Sequence, residues 1–172
     1  MQTQIAPNDQ QAASQVGMVD VEQIISEIKM PPSLKDMYEK AVISGMRVMF
    51  DKRSHKMLLD QLDQPGELDD KISSGIITLI YIIWGESNHT LPPPIIVPLA
   101  ITLTLKAFDF LQKSGEPGAT KEILGSALQK ATHGTLSKFG VSEDQLKQFI
   151  EQNRQVAQDG GMTANMGGSN GL

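Results

Sequence analysis

The sequence predicts an all-α protein: a compact bundle of five or six helices with a central apolar helix pair. Apolar residues recur at three- and four-residue steps in most segments, which is typical of amphipathic helices. Proline and glycine clusters separate these segments. The alternation that marks half-buried strands is missing, although the β-branched block from Ile76 to Trp84 could be a buried strand paired with Ile95 to Val97.

Composition narrows the class of protein. The chain has 172 residues, enough for one domain with its own core. Its formal net charge of −5 argues against nonspecific DNA binding over a broad surface. The absence of cysteine from the sequence excludes disulfides, thiolate metal sites and cysteine nucleophiles.

The ends of the chain differ from its middle. Residues 1–17 are polar and rich in glutamine, so we expect a disordered N-terminal arm. Residues 159–172 are rich in glycine and asparagine and predict a flexible tail. The helical domain is therefore expected at 18–158. The first residues lack the basic start and apolar stretch of a signal peptide.

Two amphipathic helices open the domain. Asp20 is the expected N-cap of a short first helix, and Ser33 is the expected cap of a long second one. The apolar face of the second helix is formed by residues at helical spacing: Leu34, Met37, Tyr38, Ala41, Val42, Met46, Met49 and Phe50, continued by Met57, Leu58 and Leu62.

The apolar pair comes next. Asp69 and Asp70 suit the positive N-terminal end of its first helix. The polar, proline-rich loop "GESNHTLPPP" follows Trp84. Pro98 has no N–H to donate, so the second helix of the pair is predicted to begin near it.

The last two helices have clear boundary residues. Thr120 is the expected N-cap of the helix whose stripe runs from Ile123 to Phe139, and Gly140 suits its C-terminal end. Ser142 and Gln145 then match a capping box that opens a final helix.

The two apolar blocks allow three interpretations. The 14 uncharged residues between Lys71 and Glu86 would span only about 21 Å as a helix, less than the ~30 Å of a bilayer core. The second block, interrupted by prolines, also falls short of a standard spanning helix. Length therefore favours a buried helix pair. A hairpin that leaves the bundle to enter a bilayer and an interface between copies are the alternatives. The candidate interaction or membrane segment comprises Ile76, Ile77, Leu79, Ile80, Ile83, Trp84, Pro94, Ile96 and Leu99.

No catalytic motif stands out. The three histidines lack metal-ligand spacing. Glu86 and His89 could share a helix face, but the prolines after them favour a solvated loop pair. The basic stretch "FDKRSHK" is interpreted as a solvated helix face, with contact to nucleic acid or an acidic partner as the alternative. We therefore expect no catalytic, cofactor-binding or metal-binding residues, no cofactor and no enzymatic activity.

The stretch "LPPPIIVPLAITLTLKAFDFLQKSG", from Leu91 to Gly115, resembles segments of minor virion proteins of tailed bacteriophages. A small, cysteine-free, methionine-rich helical chain with mobile ends is similar to them in general character. The resemblance implies many copies inside the capsid, at the portal or in the tail. It also implies that the protein could be ejected with the DNA. It assigns no role to any single residue.

Two functions are expected from these observations. The first is a structural or assembly protein of a multi-copy complex, located in the virion, with its own copies and other virion proteins as partners. The alternative is a membrane-active protein that inserts the 76–105 hairpin. Outside a virion, a cytoplasmic location is expected, and no strong nucleic-acid signal is present. A small helical enzyme or regulator is the third class, for which the sequence shows no site.

Overall fold

A computed structural model describes residues 19–51 and 65–142, with residues 144 and 147. It contains five helices in these ranges: α1 (Val21–Ser26), α2 (Pro32–Phe50), α3 (Leu68–Glu86), α4 (Pro93–Lys113) and α5 (Lys121–Phe139). The described residues form no strand, so the all-α prediction is confirmed. The predicted arm, the flexible tail, the basic stretch after Asp51, the continuation to Leu62 and most of the final helix, including Gln145 of its capping box, lie outside the described residues.

Helix boundaries follow local chemistry at three of the predicted positions. The Asp20 Oδ1 accepts a hydrogen bond from the Gln23 N–H at 3.0 Å, which caps α1. The Thr120 Oγ1 accepts one from the Ile123 N–H at 3.4 Å, which caps α5. Gly140 ends α5 in the left-handed region with a φ of 62°.

Two predicted helix starts are wrong, and proline explains both. Pro31 is the N-cap of α2, and Ser33 lies inside the first turn. The second helix of the apolar pair begins at Pro93, not near Pro98. Proline is well suited to the first turn, where backbone N–H groups have no helical partner. Pro98 removes a single hydrogen bond of the second turn, and α4 continues through it.

Helix α4 is the centre of the bundle. It packs against each of the other four helices. Buried residues occur all around it, and Ile95, Leu99, Leu103 and Phe108 are fully enclosed. Helix α3 packs beside α4 with its own buried row, so the predicted central apolar pair is present. The alternative strand pairing is wrong, because both blocks are helical.

The contacts between side chains fix the helix directions. Asp69 near the start of α3 meets Ser126 of α5, and Trp84 near its end meets Phe139, so these two helices run parallel. Residues 87–92 join α3 to α4 in a short connection, which makes the pair an antiparallel hairpin. Gly45 of α2 lets Leu103 approach closely, since a Cβ there would lie 2.7 Å from a leucine methyl.

Candidate interaction surfaces

The hairpin of α3 and α4 carries all nine residues of the predicted interaction or membrane segment. Six of them lie in the core of the bundle: Ile76, Leu79, Ile80, Ile83, Ile96 and Leu99. The other three, Ile77, Trp84 and Pro94, are half-buried. The folded chain therefore encloses most of the segment, and Trp84 and Pro94 remain partly accessible at the hairpin tip.

An aromatic cluster forms at that tip, and we name its residues Tyr81, Trp84, His89 and Phe139 the tip cluster. The Trp84 ring meets the Phe139 ring edge-to-face at 5.4 Å between centroids. It meets the His89 ring at 4.0 Å in a similar geometry. Such edge-to-face pairs stabilise by about 0.5–1.5 kcal/mol beyond the area they bury.

Tyr81 and His89 are the exposed members of the tip cluster. Half of the Tyr81 surface is exposed, and its ring lies 5.9 Å from Trp84 and 6.4 Å from Phe139. The Lys138 Nζ sits 5.0 Å from the Tyr81 ring centroid, which is a cation–π distance. Tyr81 and Lys138 were not predicted as site residues from the sequence, and Phe139 was predicted only as part of the apolar stripe of α5. Tyr81 and Trp84 are three residues apart on α3, a spacing that could have indicated the pair.

The loop after α3 holds His89 in place. The Ser87 N–H donates to the Ile83 carbonyl and the His89 N–H to the Trp84 carbonyl, both at 2.9 Å. Asn88 and His89 have positive φ angles of 53° and 62°. Asparagine and histidine are among the residues that tolerate this region best. His89 packs on Trp84 from this loop, whereas Glu86 is the last residue of α3, so the predicted loop position is correct for His89 and wrong for Glu86.

Buried polar groups tie helices together. The Asp69 carboxylate accepts hydrogen bonds from the Lys130 ammonium, at 2.8 Å, and from the Ser126 hydroxyl. These bonds, Lys130 first, hold the pKa of Asp69 below its ordinary value. Lys130 also reaches Asp70 at 2.6 Å, and the two carboxylates raise the pKa of the lysine. This cluster links the first turn of α3 to α5.

A second tie joins α2 to the central helix. The Tyr38 hydroxyl and the Thr102 Oγ1 lie 2.5 Å apart. Burial raises the pKa of the Tyr38 phenol, so the group stays neutral and can donate. Among the described residues, no group of three or more histidine, aspartate or glutamate side chains is placed to hold a metal ion.

Helix α4 has the length and composition of a membrane span. It contains 21 residues, and its most apolar 18-residue window has a mean hydropathy of 1.7, with 61% of that window buried inside the bundle. A core helix of a soluble protein has the same properties. The sequence expectation that the second block falls short of a spanning length is therefore wrong, because α4 begins five residues before Pro98.

A groove of about 480 Å³ lies between α1 and the first half of α5, and we name it the α1–α5 groove. Its apolar lining comes from Val19, Ile24, Leu124 and Leu128. Its polar rim carries Asp20, Gln23, Glu27 and Lys121, and Gly125 completes the lining. The sequence contained no signal for this groove, because its lining comes from two helices nearly 100 residues apart in the chain.

No protein-family model, curated protein or solved structure matches this chain.

Proposed function

We propose that the chain is a structural, non-enzymatic protein that assembles in many copies with itself and with other proteins. The observation that carries the proposal is the exposed apolar surface formed by α2 and the adjacent part of α4. Ile43 is 59% exposed, the largest exposed fraction among the large apolar side chains of the described residues. Phe50 lies seven residues further along the same face and packs on Phe110 at 5.4 Å. Exposed apolar surface of this kind supports a contact with another protein.

The tip cluster gives the proposal a second accessible surface. Tyr81 combines a large ring with a polar end, and aromatic residues are enriched at interfaces. Two of the polar side chains buried in the described part of the bundle, Asp69 and Thr102, bond between helices. Ser73 and Thr104 bond to backbone carbonyls of their own helices, and the Thr135 hydroxyl has no hydrogen-bond partner among the described residues. This arrangement favours a protein that presents surfaces over one that gathers reactive groups.

A minor virion protein of a tailed bacteriophage is the specific candidate. Its support is the resemblance of Leu91–Gly115, a range that coincides with the central helix α4 and its ends. A virion location is part of this candidate.

Light scattering on the purified full chain, with and without liposomes, tests the proposal. We expect a defined multi-copy mass that liposomes leave unchanged. A monomer at all accessible concentrations that ignores liposomes would contradict it.

A membrane-active protein is the second candidate, favoured by the length and hydropathy of α4. In this case the α3–α4 hairpin enters the bilayer, and the mass shifts onto liposomes.

The Ile80→Asp variant places an unpaired charge in the core and should unfold most of the protein. Any fraction that stays folded should also lose liposome binding. Unchanged liposome binding by folded Ile80→Asp protein would exclude insertion of the hairpin.

A further inference from the structure

Gly125 leaves unfilled space in the lining of the α1–α5 groove. A glycine inside a helix costs about 1 kcal/mol relative to alanine, so its presence calls for a reason. At Gly45 and Gly134 the reason is internal, because a Cβ would collide with Leu103 and Ile77. At Gly125 no atom lies within 4 Å of an added Cβ. The space that this glycine leaves is open to the groove.

One wall of the groove presents a row of three residues on and beside α1, which we name the acidic row. Asp20 stands at the start of the helix, Ile24 in the middle and Glu27 at the end. Asp20 and Glu27 are seven residues apart, or about 10 Å along a helix. Ile24 remains 37% exposed between them. The groove therefore offers an apolar centre between two carboxylates.

The exposed face of α2 presents the matching row, which we name the basic row. Lys40, Ile43 and Arg47 all lie on the outer side of that helix. Lys40 and Arg47 are again seven residues apart, and the most exposed isoleucine of the described chain stands between them.

The two rows match when the helices run antiparallel. Ile24 is four residues from Asp20 and three from Glu27. Ile43 is four residues from Arg47 and three from Lys40. When the two helices lie antiparallel, Ile24 therefore faces Ile43. At the same spacing along the helix axes, Asp20 faces Arg47 and Glu27 faces Lys40, so each carboxylate meets a basic side chain. Within one chain both rows are exposed, so neither covers the other.

We propose that the α1–α5 groove binds the basic row of α2 from a second copy of this chain. Ile43 of the second copy enters the apolar space beside Ile24 and above Gly125, as a knob enters a hole. Lys40 pairs with Glu27, and Arg47 pairs with Asp20. The charged groups that line the groove are the two carboxylates of Asp20 and Glu27 and the single ammonium of Lys121, so the lining is acidic on balance.

This contact joins two different surfaces, so each copy keeps one groove and one basic row for further neighbours. Heterologous contacts of this type build closed rings or open filaments. The inference rests on the proposed function and specifies which surfaces make the assembly.

A charge swap at one pair tests the contact on the full-length chain. Glu27→Lys and Lys40→Glu should each weaken self-association at least about tenfold, because each places like charges across the interface. The double variant restores opposite charges and should return the dissociation constant to within about threefold of the original. Lys35→Glu is the matched control: it makes the same charge change on α2, outside the basic row, and should leave association unchanged.

Filling the groove tests the contact without changing charge. Gly125→Leu should abolish association, while circular dichroism shows the helices intact. Gln129→Leu, on the exposed side of the same helix, adds a similar side chain away from the groove and should have no effect.

Two outcomes would overturn the inference. If the chain assembles but the single charge variants and Gly125→Leu assemble equally well, this groove is not the contact, although the proposed function stands. If the unaltered chain is a monomer at all accessible concentrations, the groove does not bind a second copy, and assembly of the chain with itself fails as well.

Discussion

Ile80 shows what one side chain contributes to the core. It is fully enclosed in the α3–α4 hairpin. Ile80→Ala should lower the free energy of unfolding by about 2–5 kcal/mol, because it removes buried methyl groups and leaves a cavity. Urea denaturation measures the change. Met37→Ala, at an exposed position of α2, should change it by no more than about 0.5 kcal/mol. Equal effects at the two positions would contradict the burial described for the hairpin.

Asp69 makes stability depend on pH. Its pKa is lowered in the folded state, so its stabilising effect is present above the ordinary aspartate pKa of about 3.9. The effect is lost as the pH falls through the lowered value. Asp69→Asn should therefore reduce the free energy of unfolding by about 1–3 kcal/mol at pH 7. The difference between variant and unaltered chain should narrow as the solution becomes strongly acidic.

Asp70→Asn is the matched control for that measurement. Asp70 binds the same lysine, but 59% of its side chain is exposed. Surface ion pairs contribute about 0–1 kcal/mol, so this variant should lose less than Asp69→Asn at pH 7. A larger loss at Asp70 would mean that the buried carboxylate is not the main tie between α3 and α5.

Substitutions at two glycines of α5 are expected to change the free energy of unfolding in opposite directions. Gly125→Ala should raise the free energy of unfolding by about 0.5–1 kcal/mol, because the new methyl group enters open space and the helix gains propensity. Gly134→Leu should lower it by about 1–3 kcal/mol, because the side chain must displace Ile77. Thermal or urea denaturation compares the two. A stabilising Gly134→Leu would show that α3 and α5 are packed less closely than described.

Element boundaries show which helices local chemistry can predict. Asp20, Thr120 and Gly140 were predicted correctly because a cap depends on a few neighbouring residues. The start of α4 was missed because proline both breaks a helix and opens one. The choice at Pro93 and Pro98 depends on the packing of the whole helix, which offsets one lost hydrogen bond.

The candidate surfaces were harder to predict than the helices. Periodicity identified the nine hairpin residues as apolar, but it could not separate the buried Ile80 from the half-buried Trp84, because the exposed stripe of α3 beside them (Thr78, Tyr81 and Gly85) carries no charged side chain to mark it. The α1–α5 groove depends on which helices become neighbours. That information is carried by tertiary packing and not by local pattern.

The whole molecule is expected to unfold as one unit. Helix α4 contacts all four other described helices, so none of them can leave without exposing part of the central core. Trp84 is the single tryptophan and reports on the tip cluster. We expect its fluorescence and the far-ultraviolet circular dichroism to change at the same urea concentration. An earlier change in fluorescence would show that the tip opens before the bundle unfolds.

Comparing the fluorescence and circular dichroism transitions also tests the proposal that the protein is membrane-active. Insertion requires α3 and α4 to leave α2 and α5 together, and this separation exposes the buried faces of all four helices. If the two signals coincide, the free energy needed to release the hairpin is close to that of complete unfolding. Liposome binding should then appear only under conditions that destabilise the whole bundle, and Ile80→Ala should bring it on at a lower urea concentration. Liposome binding by the fully stable protein, with coincident signals, would mean that a surface other than the hairpin meets the bilayer.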